Sequence, residues 1–210
     1  QRALNLSVHE LDMILHYLGM SWEVDFNENP SDSENPRNHL NDIASILKIK
    51  EQLNLKLEET LLLVNDFRFE NYPGYVNLYD YIFLRKTEKY ELKEELVKLR
   101  NDENVNITTT YTKAGLILPY ISGIKITEEQ YRTIIQNEFK PTSDIKITIE
   151  GLSVIFRVAY LCKSLNITEE SYYFLRDYLL APPEEATQPP INLRDPQQLL
   201  EFIEKVHKIH

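Results

Sequence analysis

The residues best suited to chemistry are five histidines, one cysteine, thirteen tyrosines and a large set of carboxylates. His9 and His16 are seven apart and could share a helix face. Two imidazoles do not make a metal site, which needs three or four ligands at fixed geometry. His207 and His210 stand i, i+3, and His39 stands alone, so all five read as surface or packing residues. Cys162 lies inside an apolar run, where burial suppresses the thiolate, and a single cysteine excludes an intramolecular disulfide. There is no GxSxG, P-loop, GxGxxG or HExxH pattern. Tyr79, Tyr81, Tyr172 and Tyr173 sit beside aliphatic residues in helical patterns, which fits core-edge packing better than a carbohydrate platform. Asn5, Asn106 and Asn166 each begin an N-x-Ser/Thr triplet, meaningful as glycosylation only in a secretory pathway. Neither a catalytic residue nor a metal or cofactor site is expected.

Arg157 is the exception that asks for a role. It interrupts Ile145–Leu165, whose apolar residues fall on nearly every helical face, the mark of a helix buried among others. A guanidinium there must find carbonyls, a carboxylate or water. It either bridges a neighbouring helix terminus or pairs across a subunit interface.

The elements that position these residues share one local pattern: apolar–x–apolar, a capping residue, an acidic first turn, then a helix. It begins at Leu4, Leu53, Ile124, Ile145 and Leu165. Ser7, Thr127, Thr148 and Thr168 can accept from orphan N–H groups, and Glu10 completes a capping box with Ser7. Leu6 with Leu11, Ile126 with Tyr131, Ile147 with Leu152 and Ile167 with Tyr172 have the spacing of hydrophobic staples. In the unit from Leu53, Lys56 is a poor cap and Thr60 a poor staple. The acids at these helix starts complement the helix dipole, which weakens any reading of them as general acids. Successive caps are 49, 71, 21 and 20 residues apart, so the chain is no strict repeat array.

In order, helices are expected over Ser7–Leu18, ended by Gly19, from Pro36 to Leu53, over Leu57–Asp66, and over Asn77–Arg85. Trp22–Pro36 reads as a polar loop. Lys86–Thr110 is open between a strand, a short helix and an irregular insertion. Helices follow at Lys113–Ser122, Thr127–Glu138, Thr148–Lys163 and Thr168–Leu180. A four-proline linker, Ala181–Pro190, precedes a last helix capped by Asp195 with Pro196 at its first position. The fold class is all-α for the most part: an irregular multi-helix bundle or solenoid-like stack of about 8–10 helices with little or no sheet. One domain is expected, with helical lobes over 1–85 and 111–210 and an insertion over 86–110.

A net charge of −10 argues against nucleic acid as a partner. The basic residues of Lys86–Lys98 alternate with glutamates and read as a solvated face. The central helix is too short and too interrupted to span a bilayer, and no signal or transit peptide is present. A start at Gln1 directly before a helical pattern, and a stop at His210 just after one, read as a fragment excised from a longer protein.

Residues 149–175 resemble a helical segment of the A subunits of bacterial insecticidal toxin complexes. Ile149, Glu150, Leu152, Ser153, Ile155, Phe156, Arg157, Leu161 and Leu165 occupy the places of a helix in that family. Phe156 stands where tyrosine is common there, and Cys162 where alanine is. The segments from Leu4, Leu53 and Asp195 resemble other helices of the same subunit, whereas Trp22–Pro36 and Lys86–Thr110 do not. The resemblance implies a piece of the α-helical shell that encloses a translocation channel. Its partners would be the remainder of the toxin A chain within a homopentamer, secreted or at the cell surface, with no membrane insertion by this segment. The alternative is a freestanding helical-repeat module that binds a protein or glycan. An enzyme assembled from scattered acids is the third class.

Overall fold

The computed structural model describes residues 6–18, 36–84, 93–101, 107–110, 126–139, 146–180 and 193–209. These residues form α1 (Val8–Tyr17), α2 (Pro36–Gln52), α3 (Leu57–Val64), α4 (Leu78–Phe83), α5 (Lys93–Asn101), β1 (Ile107–Thr110), α6 (Glu128–Phe139), β2 (Lys146–Ile147), α7 (Ile149–Leu165), α8 (Glu169–Leu180) and α9 (Pro196–Ile209). The fold is helical. Its sheet, among the described residues, is one antiparallel pair in which Ile107 stands opposite Ile147. Both a helix and a strand therefore fall inside Lys86–Thr110, the stretch whose sequence left the choice open. The expected Gly19 stop, residues 22–35 of the polar loop, the Lys113–Ser122 helix, the Ala181–Pro190 linker and the asparagines Asn5 and Asn106 lie outside the described residues.

α7 is the axis of the packing. It touches α3, α6, α8 and α9, and residues from both of its sides are buried, including Leu152, Ile155, Phe156, Val158, Ala159 and Leu161. The two expected lobes share one core, because α9 lies along α2 while α7 lies against α3. Side-chain pairs give the direction of packing. Asp42 meets Gln197 and Lys48 meets Glu204, so α2 and α9 run parallel. Gln130 meets Glu169 and Glu138 meets Arg176, so α6 and α8 run parallel as well.

Phe67 sits where these layers converge. Tyr79, Phe83 and Phe156 surround it edge-on, with ring centroids 5.7, 5.9 and 5.5 Å away. Such contacts add to the area term of burying large rings. α3 ends at Val64, two residues earlier than expected, because Asn65 turns to extended backbone and commits its side-chain amide to the Tyr17 carbonyl at the end of α1. Tyr81, read as a core-edge residue, is exposed, whereas Thr60 is fully buried and donates to the Lys56 carbonyl.

The caps are built as the side chains dictate. Ser7 Oγ accepts from Glu10 N at 3.1 Å, and Glu10 accepts from Ser7 N at 2.8 Å. Thr127 and Gln130 form a second capping box, with both halves present at 3.2 and 2.8 Å. Thr148 accepts from Gly151 N, Thr168 from Ser171 N, and Asp195 from Gln197 N and Gln198 N. Lys56 supplies no side-chain cap, but Glu59 still reaches back to its N–H. Asn77 caps α4 through Asp80 N, a cap the sequence reading lacks. Between α3 and α4, Tyr72–Tyr75 turn tightly, with Pro73 and then Gly74 at φ 84°, the arrangement a type II turn requires. Tyr75 comes beside Glu10, where it helps to hold the carboxyl low.

The recurring apolar–x–apolar frame has two fates. At Asn54 and Asn166, with φ of 51° and 54°, it closes the preceding helix. The next N–H in each case, Leu55 and Ile167, returns to the carbonyl five residues back, Lys50 and Cys162, at 3.0 Å. This is the Schellman arrangement. The frame is thus a helix stop fused to the following helix start, which gives the tight α2–α3 and α7–α8 corners. Where x is Lys146, the same frame stays extended as β2.

Two outcomes follow for stability. Asn54→Ala and Asn166→Ala should each lower unfolding free energy by about 1 kcal/mol, while the glycine variants should not, since only a Cβ opposes the left-handed region. Urea denaturation measures both. Glu10 is held below its ordinary value of 4.5, chiefly by the Ser7 N–H. A depressed carboxylate contributes stability above its unfolded pKa and loses it as pH falls through its folded value. Glu10→Gln should therefore flatten the loss of stability below about pH 4.5, read from denaturation midpoints across that range.

Candidate functional site

A pair of buried polar groups lies on one face of α7. Ser153 and Arg157 are one turn apart, Ser153 fully buried and Arg157 only 6% exposed. Both face the chain as it leaves α3. Ser153 Oγ donates to the Ile149 carbonyl at 2.7 Å and accepts from Phe67 N at 2.9 Å. Arg157 Nε donates to the Leu63 carbonyl at 2.8 Å, and Nη2 to the Asn65 carbonyl at 3.1 Å. Residues 63, 65 and 67 are thereby held in sequence along two side chains of a single helix. The guanidinium also sits at the negative end of the α3 dipole, where a cation is favoured.

Asp66 extends the cluster. Its Oδ1 lies 3.6 Å from Arg157 Nη2 and 3.0 Å from Arg194 Nη2, and Arg194 reaches Glu150 at 3.5 Å. Burial pushes the Arg157 pKa down, Arg194 adds to that, and Asp66 opposes it. An arginine starts so far above neutrality that it stays charged. The cluster is a charge network with its cations and carboxylates matched.

Two grooves border it. The larger, about 720 Å³, runs between Asn65–Glu70, Arg100–Asn101 and Thr148–Glu150. Its Arg100 grips Asp80 through two bonds of 2.6 and 3.0 Å and lies over the Phe69 ring. The hydrogen bond to Asp80 raises the Arg100 pKa further. The second groove, about 340 Å³, is lined by Glu138, Glu150, Tyr172, Arg157, Arg176 and Arg194 among others. Arg176 pairs with Glu138 at 3.0 Å and lies over the Tyr173 ring. Arg100, Arg157, Arg176 and Arg194 each meet a carboxylate, whereas Arg68, which also lines the larger groove, lies over the Tyr17 ring and leaves its buried Nε without a hydrogen-bond partner.

The other sequence candidates are dispersed. His16 lies on the surface 3.1 Å from Glu70, and His9 and His207 are exposed. Cys162 is buried against α8, where burial and Glu169 push its thiol pKa up, away from nucleophilic use. Tyr79 is fully buried and donates to the Leu96 carbonyl at 2.8 Å; Tyr172 and Tyr173 are core residues too. Among the described residues no cluster of three His, Cys, Asp or Glu side chains is placed to hold a metal. Asn166 serves as a helix stop, and Thr168 of its triplet as a cap. No family model matches the chain, and no curated protein matches it either.

Sequence reasoning singled out Arg157 but not its partners. Leu63 and Asn65 offer backbone carbonyls, which leave no trace in residue type. Ser153 carried a signal, being a polar residue one turn from Arg157 on an apolar helix. Asp66 and Arg194 are 128 residues apart in the chain and meet only through tertiary packing.

Replacing Arg157 by Met would leave the Leu63 and Asn65 carbonyls and the Asp66 carboxylate short of a donor. The expected loss is about 3 kcal/mol of unfolding free energy. Ser153→Ala should cost about 1–2 kcal/mol, through the orphaned Phe67 N–H. An unchanged melting temperature for Arg157→Met would remove the guanidinium from the list of what holds α3 to α7.

Proposed function

We propose that this chain is a non-catalytic structural segment, a portion of an α-helical shell of the kind that encloses the translocation channel in the toxin A subunits it resembles. The observation that carries this reading is the use made of the buried polar side chains Ser153, Arg157 and Thr60. Ser153 and Thr60 are committed to backbone groups, and Arg157, although it lines the smaller groove, gives its donors to two carbonyls at the end of α3, as a strut requires. The parallel pairs α2–α9 and α6–α8, which α7 touches through α9, α6 and α8, support it, since layers of this kind extend side by side. In this reading the neighbours are the remainder of a toxin A chain within a homopentamer, at the cell surface or secreted. No helix among the described residues is long and apolar enough to cross a membrane, in keeping with a segment that stays outside the bilayer. The second reading, a freestanding module that binds a protein or glycan, is favoured by one observation, an exposed aromatic pair on α8.

The decisive measurements concern context and rigidity. The parent reading frame should run far beyond 210 residues; a frame of about this length would overturn the shell reading. Amide hydrogen exchange from neutral to alkaline pH, corrected for intrinsic rates, should leave the protection of α3 and α7 unchanged, as expected of a strut. Selective loss of protection in α7 would contradict that role.

A further inference from the structure

Large apolar side chains that reach solvent are mostly scattered one to an element: Val8, Leu40, Val97 and Ile209 stand on four different helices. α8 is different. Phe174 and Tyr178, one turn apart, are 68% and 70% exposed. Their rings are parallel to within 4°, with centroids 6.0 Å apart. Leu175 and Leu179 pack inward beside them, so the helix is anchored by one side and displays its rings on the other.

The charge around the rings narrows what they can receive. Glu170 and Ser171 are exposed one turn before, and the Asp177 side chain is 71% exposed between the two rings in sequence. The nearest cation on the helix, Arg176, is turned away to Glu138 and the Tyr173 ring, though its Nε also bonds Asp177. Exposed ring faces attract cations through their quadrupole, and nearby carboxylates add to that attraction. A second copy of this chain would bring the same acids, on a chain of net charge −10, against their own kind. An anionic surface or nucleic acid is opposed by the same charge.

We propose that the outer face of α8 docks a cationic segment of another protein, with Arg or Lys side chains laid on Phe174 and Tyr178 and balanced by Glu170 and Asp177. The inference does not depend on the shell reading, since a strut and a freestanding module can both carry such a face.

The test uses a fluorescein-labelled peptide of alternating arginine and alanine, read by fluorescence anisotropy at physiological salt. A glutamate–alanine peptide and maltohexaose, the latter followed by calorimetry, serve as comparisons. The arginine peptide should bind, and the double variant Phe174→Leu, Tyr178→Leu should weaken it about tenfold, since two exposed cation–π contacts are removed while charge and apolar bulk remain. Glu170→Gln with Asp177→Asn should weaken it as well. Because the rings are exposed, circular dichroism should show both variants folded. Equal affinity for the wild type and the leucine variant would overturn the proposal, reducing the binding to general attraction. Maltohexaose binding that the leucine variant abolishes, or self-association by sedimentation that it abolishes, would overturn it in favour of a sugar or a second copy.

Discussion

Placing a guanidinium inside an apolar helix interface costs several kcal/mol in lost hydration, and the rest of this structure is arranged so that the cost is met. Arg157 stands on the long, largely buried α7, and its donors go to carbonyls that need partners in any case, at the place where α3 stops. The last carbonyls of a helix have no partners within it. One side chain thus satisfies two sets of groups that would each be costly alone. Ser153 does the same for an N–H two residues further on. The end of α3 is fixed in position by this arrangement, and with it Phe67, around which the rings of Tyr79, Phe83 and Phe156 meet. Asn65, held by Arg157 through its carbonyl, passes the constraint to the end of α1 through its side chain.

The corners obey a second constraint. A helix stop and a helix start are separate problems, one of unsatisfied carbonyls and the other of unsatisfied N–H groups. At Asn54 and Asn166 the two are solved within a few residues, since the left-handed asparagine closes one helix as the chain reaches the cap of the next. Short corners of this type leave little freedom in the angle between successive helices. They explain how α7 and α8 can lie close enough for Cys162 to be buried at their contact.

Much of this was legible in the residues. Caps are read from a side chain and its neighbours three positions on, so Ser7, Thr148, Thr168 and Asp195 were evident without a structure. The burial of α7 was evident from apolar residues on all its faces. The frame around the caps was recognised as a repeat, but its meaning was not, because a stop depends on backbone conformation, and Asn and Lys in the middle position look equally polar. The β1–β2 pair was hidden for a different reason: a two-residue strand has no periodicity of its own. The partners of Arg157 were out of reach because two of them are carbonyls and the third, Asp66, resembles every other acid in an acidic chain. Tyr81 lies more in the open than its pattern suggested, because apolar character states a preference for burial and not its fulfilment.

The parallel pairing of α2 with α9 sets an order on how the molecule can be made. The groups that join them, Lys48 with Glu204 and Asp42 with Gln197, are 156 and 155 residues apart. A chain emerging from the ribosome at about 5–20 residues per second presents α2 for roughly ten to thirty seconds before α9 exists to cover it. Ile43, Ile46 and Ile49, all buried in the finished protein, must pass that interval against α3 or against something else. α9, made after every other described helix, therefore covers α2 late, and the apolar side of α2 needs protection until it does.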